Sequence, residues 1–327
     1  MAVALEILKE SITLGKTATG KALVEEAGLL LSSSAKALPS ELTKLGTSIA
    51  GSARSPAQVK QLEELYRHAP IKFADRPGDL FDSSIRTGTI QGQSGLEHVV
   101  VTKPPMVRQQ KELTAYAIHQ QSPFTNHFPI TVERAGSKEL VQERVGRTLD
   151  NALPILDRRF YGQVAPPMPP IDADRSVILQ WKRTVADQAR LSPGMRDLLQ
   201  GNPAFRDQME QSVAERLIWG DQDGHRGNIA LLMRNRLLNV GNIDMEMAFS
   251  TRLQPNYPKL IEFQDQVISP STLSKIDAFQ QKFSSNWGRT FLSDNKLTSE
   301  QSNAMLARSS WLLNEGRFPA RQLYFGH

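Results

Sequence analysis

The chain has 327 residues, with 39 lysines and arginines against 34 acids, a formal net charge of +5, and a hydrophobic content of 39% that suffices for a sizeable core. The absence of cysteine excludes disulfides, a thiol nucleophile and any cysteine-based zinc site. No apolar run is long enough to span a bilayer and the start carries no cleavable leader pattern, so a soluble, cytoplasmic protein is expected. A modest positive charge without an arginine-rich stripe or aromatic platform points to no nucleic-acid partner and leaves an anionic ligand or acidic lipid surface open.

The first sixty residues are rich in Ser, Ala, Thr, Gly and Leu. Segments 3–14 and 21–31 fit short amphipathic helices, with loops at Ser32–Ala37 and Gly51–Pro56. Residues 1–65 therefore read as an extension: either a helical pair packed on the next domain, or a mobile regulatory head of the kind that directs bacterial effectors into specialised secretion. Next, Thr87–Gly95 holds Gly88, Gly92 and Gly95, small residues that let backbone amides approach phosphate, with a flexible hairpin tip as the alternative. His98–Lys103 is a β-branched run ending in a lysine, the form of a strand that presents an amine to phosphates. Glu112 follows in the helix-compatible segment Val107–Ile118 and can carry a carboxylate that pairs with Lys103. Ala165–Pro170 is a stiff, extended connector.

Residues 202–249 are the most informative. Asn202 can N-cap a helix with Pro203 at its first position, Phe205, Met209, Val213 and Leu217 repeat every four residues on one face, and Gly220 stops the helix. Ile229–Met233 and Leu237–Ile243 read as two short strands joined by the polar turn Arg234–Arg236. Between helix and hairpin lie Asp223, His225 and Asn228, and Asp244 closes the second strand. Phosphoryl transfer needs a carboxylate to take the proton of the attacking hydroxyl, an amide oxygen for one metal, and a carboxylate for the metal bridging the phosphates. Asp223, Asn228 and Asp244 suit those roles in order. Loops are commonly built of Asp, Gly, His and Asn, but an acid at the end of a buried strand is costly unless it binds something. Asp221 is a competing base that reads better as a turn or capping residue.

Four passages carry a family resemblance: Val101–Lys103, Lys111–Tyr116, the loop Asp223-x-His225-x-x-Asn228, and Ile243–Phe249. Over residues 80–250 the chain resembles the protein-kinase-like superfamily, and within it the phosphatidylinositol 3- and 4-kinase and atypical-kinase branch, where the histidine follows the catalytic aspartate. The resemblance implies an α+β bilobal kinase fold: a β-rich N-lobe over residues 66–146, with Phe128–Arg134 and Glu139–Val145 as strands leading to the hinge, and a helical C-lobe over residues 147–327. It implies ATP with Mg2+ or Mn2+. Lys103 and Glu112 then hold the phosphates beneath Gly88, Gly92 and Gly95, Asp223 is the base, and Asn228 and Asp244 bind the metal. His225 either supports the transition-state charge or packs structurally.

The departures from the family pattern matter. Asp244-Met245-Glu246 stands where Asp-Phe-Gly or Asp-Asn-Gly is expected, so Glu246 joins the metal site, points to solvent or marks altered activation. The glycine spacing is irregular. The implied activity is transfer of the γ-phosphoryl group to a protein hydroxyl. A phosphoinositide kinase is the runner-up, with Arg252 and Lys259 as thin provision for an inositol headgroup. A pseudokinase scaffold and an adenylate-transferring enzyme of the same fold stay open, as does the need for an activating partner. The tail reads helical, with capping-box spacing from Thr298 to Gln301 and Met305, Leu306, Trp311 and Leu312 before Gly316.

Overall fold

The computed structural model describes residues 55–77, 85–92, 97–105, 109–144, 147–150, 192–234 and 237–320, with isolated positions between 153 and 184. The expected helices at 3–14 and 21–31, most of the Ala165–Pro170 connector and the centre of the Arg234–Arg236 turn lie outside the described residues. The fold is mixed α+β and divides into two compact units.

The first unit comprises residues up to Pro105, Pro129–Phe205 and Ala230–Asn239. It opens with helix α1 (Pro56–His68), started by a Ser55–Gln58 capping box with proline at the first position. Five antiparallel strands follow: β1 (Lys72–Pro77), β2 (Arg86–Gln91), β3 (Glu97–Lys103), β4 (Thr131–Glu133) and β5 (Leu140–Glu143), in the order β1-β2-β3-β5-β4. On β3, Val100 and Thr102 are buried while Val99, Val101 and Lys103 are half-buried, the alternation of a strand with one face on a core. Ala135 donates its backbone N–H to Arg67 O at 3.1 Å, tying the turn after β4 to α1. Helix α1 spans residue 65. Helix α3 (Pro193–Gly201), capped by Ser192, buries Met195 and Leu198. The expected strands at Phe128–Arg134 and Glu139–Val145 are present but shorter.

The second unit comprises Met106–Phe128, Arg206–Ile229 and the chain from Val240. Helix α2 (Gln109–Gln121) covers the expected helical segment. Helix α4 (Pro203–Trp219) begins as expected, with Asn202 Oδ1 accepting the N–H of Phe205 at 3.0 Å. Its apolar face is buried at Phe205, Met209, Val213 and Leu217, but Ser212, Glu215 and Arg216 are buried too, so α4 has core on more than one side. A three-stranded sheet that falls mostly in the first unit orders β6 (Arg147–Thr148), β7 (Ile229–Arg234) and β8 (Leu237–Asn242), and the hairpin falls where the apolar runs place it.

Three further helices, α5 (Pro270–Ser284), α6 (Asn286–Asp294) and α7 (Ser299–Glu315), complete the second unit. Ser269, Ser285 and Thr298 cap them, the last with the expected capping box, and Gly316 ends α7 in the left-handed region at φ 62°. An aromatic chain from Phe128 through Trp219 to Phe249, with ring centroids 5.9 and 6.0 Å apart, fastens the end of α4 to the segment after β8. No described helix is long and apolar enough to cross a membrane.

Candidate active site

Helix α4 ends at Gly220, whose φ of 64° suits a residue without Cβ. A Cβ there would also lie 2.6 Å from Ser250 Oγ and 2.7 Å from the Arg308 guanidinium carbon, so glycine is required twice over. Arg308 is fully buried and donates from Nε to Ile218 O at 2.8 Å, and from Nη1 to Ser250 O at 2.9 Å and to Arg252 O. Burial lowers its pKa from the ordinary arginine range to about 10.

The loop after Gly220 gathers the three sequence-predicted residues. Asp221 Oδ1 accepts the backbone N–H of Asp223 at 3.0 Å. Asn228 Nδ2 donates to Asp223 O at 2.9 Å and to Asp223 Oδ2 at 3.4 Å. His225 Nδ1 accepts the N–H of Gly227 at 2.9 Å, capping a short 3-10 turn (Arg226–Asn228), and its Nε2 lies 3.6 Å from Asp223 Oδ1. Asp223 and His225 have side chains 48% exposed, whereas Asn228 is buried. The carboxylate of Asp223 is thus held by the loop and open to solvent. Asp221 is buried in an ion pair with Arg216 and is committed to folding the loop.

Ile243 donates its N–H to Asn228 O at 3.0 Å, which draws the segment after β8 onto this loop. The next residue, Asp244, has φ 57°, a left-handed conformation that aspartate tolerates better than most residues. The carboxylates of Glu112, Asp244 and Glu246 offer oxygens within 4.8 Å of one another. Glu112 is 1% exposed and the other two are half-buried. Three acids this close repel one another, and a divalent cation with oxygen ligands relieves that repulsion. Among the described residues this is where His, Cys, Asp or Glu side chains converge closely enough for a metal.

Lys103, Gly88 and Gly92 lie on the first unit. Lys103 closes β3 in register with Leu140. Gly88 is inside β2, paired with Phe73 and Val100, and a Cβ there would approach Ile71 Cγ2 to 2.5 Å. Its lack of a side chain therefore serves sheet packing. Gly92 follows β2 directly, and Gly95 lies outside the described residues.

Sequence reasoning missed the buried polar residues that hold the loop: Arg216, Glu215, Asn242 and His119. A signal was present, because Ser212, Glu215 and Arg216 form an i, i+3, i+4 polar stripe on a helix whose apolar stripe is at Val213 and Leu217. It also paired Glu112 only with Lys103, whereas the fold of the second unit brings Glu112 to Asp244 and Glu246.

No protein-family model matches the sequence, and no curated protein does. Solved structures match at low similarity. The FAT and kinase domain of CtTel1 aligns with 75% of this chain and 22% of its own, at 13% identity and a TM-score of 0.42. The Helicobacter pylori proinflammatory kinase CtkA aligns with 76% of this chain and 93% of its own, at 10% identity and a TM-score of 0.38. HipA, in the Shewanella oneidensis MR-1 toxin–antitoxin complex with HipB and operator DNA, aligns with 92% of this chain at 11% identity and a TM-score of 0.35. The chain spans about a fifth or less of the length of the CtTel1 chains that it matches.

Proposed function

We propose that the chain is an ATP-dependent phosphotransferase, an atypical kinase that passes the γ-phosphoryl group to a protein hydroxyl. The observation that carries this reading is the presence, within one unit, of a half-exposed loop aspartate held by the Asn228 amide and of a cluster of three carboxylates, two of which follow Ile243, itself bonded to Asn228.

The geometry supports the following roles. Asp223 is oriented by Asn228 and open to solvent, so a hydroxyl can reach it and lose its proton there. Asn228 commits its amide nitrogen to Asp223, which leaves the amide oxygen as the end a cation would take. Hard carboxylate oxygens on Glu112, Asp244 and Glu246 fit Mg2+ or Mn2+, and Glu246, standing where the family has glycine, would be a ligand. When bound, the metal supplies charge neutralisation of the phosphates. His225, whose Nδ1 accepts the Gly227 N–H and whose Nε2 faces Asp223, holds the loop beside the aspartate. Lys103 is assigned to the nucleotide phosphates on the order of the sequence motifs alone.

The test is incubation of wild type and Asp244→Ala with magnesium and ATP labelled separately at the γ and α phosphates, against mixed proteins and phosphoinositide vesicles. Asp244-dependent γ label on protein supports the proposal. Label on lipid would make the chain a phosphoinositide kinase, α label an adenylate transferase, and nucleotide binding without transfer a scaffold.

A further inference from the structure

We infer that Arg216 is the positioning residue of this site, a single buried guanidinium that sets the proton-accepting loop against the carboxylate-bearing segment. This rests on the reading of Asp223, Asn228 and Asp244 given above.

Arg216 lies in the last turn of α4 and is 3% exposed. Its Nη1 donates to the carboxylate of Asp221, whose other oxygen holds the N–H of Asp223. Its Nη2 donates to the carbonyl of Asn228 and, at 2.7 Å, to the carbonyl of Ile243, the residue before Asp244. Its Nε donates to Asn242 Oδ1 at 3.0 Å, at the end of β8. One planar group therefore bonds beside or at each of the three residues assigned to the chemistry. Lysine cannot substitute, because an ammonium lacks the fixed fork that reaches acceptors on several sides.

The network continues inward. Asn242 Nδ2 donates to Glu215 Oε2 at 3.0 Å, and Asn126 Nδ2 donates to the same oxygen at 2.8 Å. His119 Nδ1 lies 2.7 Å from Glu215 Oε1. His119 stands seven residues after Glu112 on α2, two helical turns along the same face. The guanidinium is thus one end of a buried chain that seats the helix carrying Glu112. Every acceptor is a backbone carbonyl or a side chain already engaged, so Arg216 offers nothing to a substrate directly. Its contribution is geometric, and errors of about 1 Å in such a constellation cost about 100-fold in rate.

The experiment compares wild type, Arg216→Lys, Arg216→Met and Glu210→Gln, a charge change elsewhere on α4, by three readouts: thermal unfolding, amide hydrogen exchange, and steady-state ATP-dependent transfer. Expected for both Arg216 variants are a folded protein and faster exchange over residues 221–228 and 243–249. Exchange over α5–α7 should be unchanged. The kcat should fall about 100-fold with KM for ATP within a few-fold, while Glu210→Gln keeps wild-type exchange in the loop. A further variant, Arg216→Ala, leaves room for the missing group, and added guanidinium should restore part of its loss. Wild-type exchange in the loop of Arg216→Met, or activity lost only in proportion to the unfolded fraction, would overturn the inference. Absence of transfer by wild type would sink the proposed function instead, and exchange would still decide Arg216. A variant too unstable to purify is replaced by Asn242→Ala, which removes one acceptor of the fork and is expected to give the same exchange pattern more weakly.

Discussion

His119 and Glu215 meet in the interior of the second unit with Nδ1 and Oε1 2.7 Å apart, the histidine side chain 9% exposed and the glutamate not at all. A carboxylate so buried is tolerable because Asn126 and Asn242 supply donors to its other oxygen. Replacing His119 with leucine removes one partner and leaves the acid short of a donor. We expect a loss of about 3 kcal/mol in unfolding free energy, measured by urea denaturation. Adding Glu215→Leu should not recover it, because Asn126 and Asn242 would then lose the buried acceptor to which both donate.

Gly220 turns the end of α4 in a conformation and a space that exclude Cβ. Gly220→Ala should lower stability by about 2 kcal/mol or more. The same substitution at Gly136, which also has positive φ but nothing within 4 Å of a built Cβ, should cost about 1 kcal/mol. The difference between the two reads the crowding at Gly220 directly.

Asp221 and Asp223 should separate cleanly on substitution. Asp221→Asn breaks a buried ion pair with Arg216 and is expected to cost about 3 kcal/mol, with a fall in melting temperature. Asp223→Asn touches an exposed side chain and should leave the melting temperature within about 2 °C while abolishing transfer. Loss of transfer only in Asp221→Asn, per folded molecule, would reassign the base.

Asp244→Asn relieves repulsion among three carboxylates and keeps a residue that tolerates positive φ. In chelator the variant should melt above wild type. With millimolar Mg2+ or Mn2+ the order should reverse, since only wild type gains the linkage stabilisation of a bound ion. A variant and wild type that respond equally to metal would place the cation elsewhere.

The elements most legible in the sequence were those with local signals of both ends. Helix α4 carried Asn202 and Pro203 at its start and Gly220 at its stop, and α7 carried the Thr298–Gln301 box and Gly316. Strands β3, β7 and β8 announced themselves as apolar runs beside polar turns. Helices α1, α5 and α6 went unread although each has a serine cap and α5 carries Ile276, Phe279 and Phe283 at helical spacing, because no neighbouring motif drew attention to them. The site showed the same divide. Asp223, His225 and Asn228 are close in sequence and are close in space. The meeting of Glu112 with Asp244 and Glu246, and of Arg216 with Ile243 and Asn242, depends on long-range packing that no local pattern encodes.

Arg226 sits inside the loop between His225 and Asn228, where its charge would be expected to attract a polyanion. Instead its guanidinium is ion-paired with Glu262, and both side chains are largely withdrawn from water. The Arg226 charge is therefore committed to the fold, fastening the loop to the short turn Ile261–Phe263.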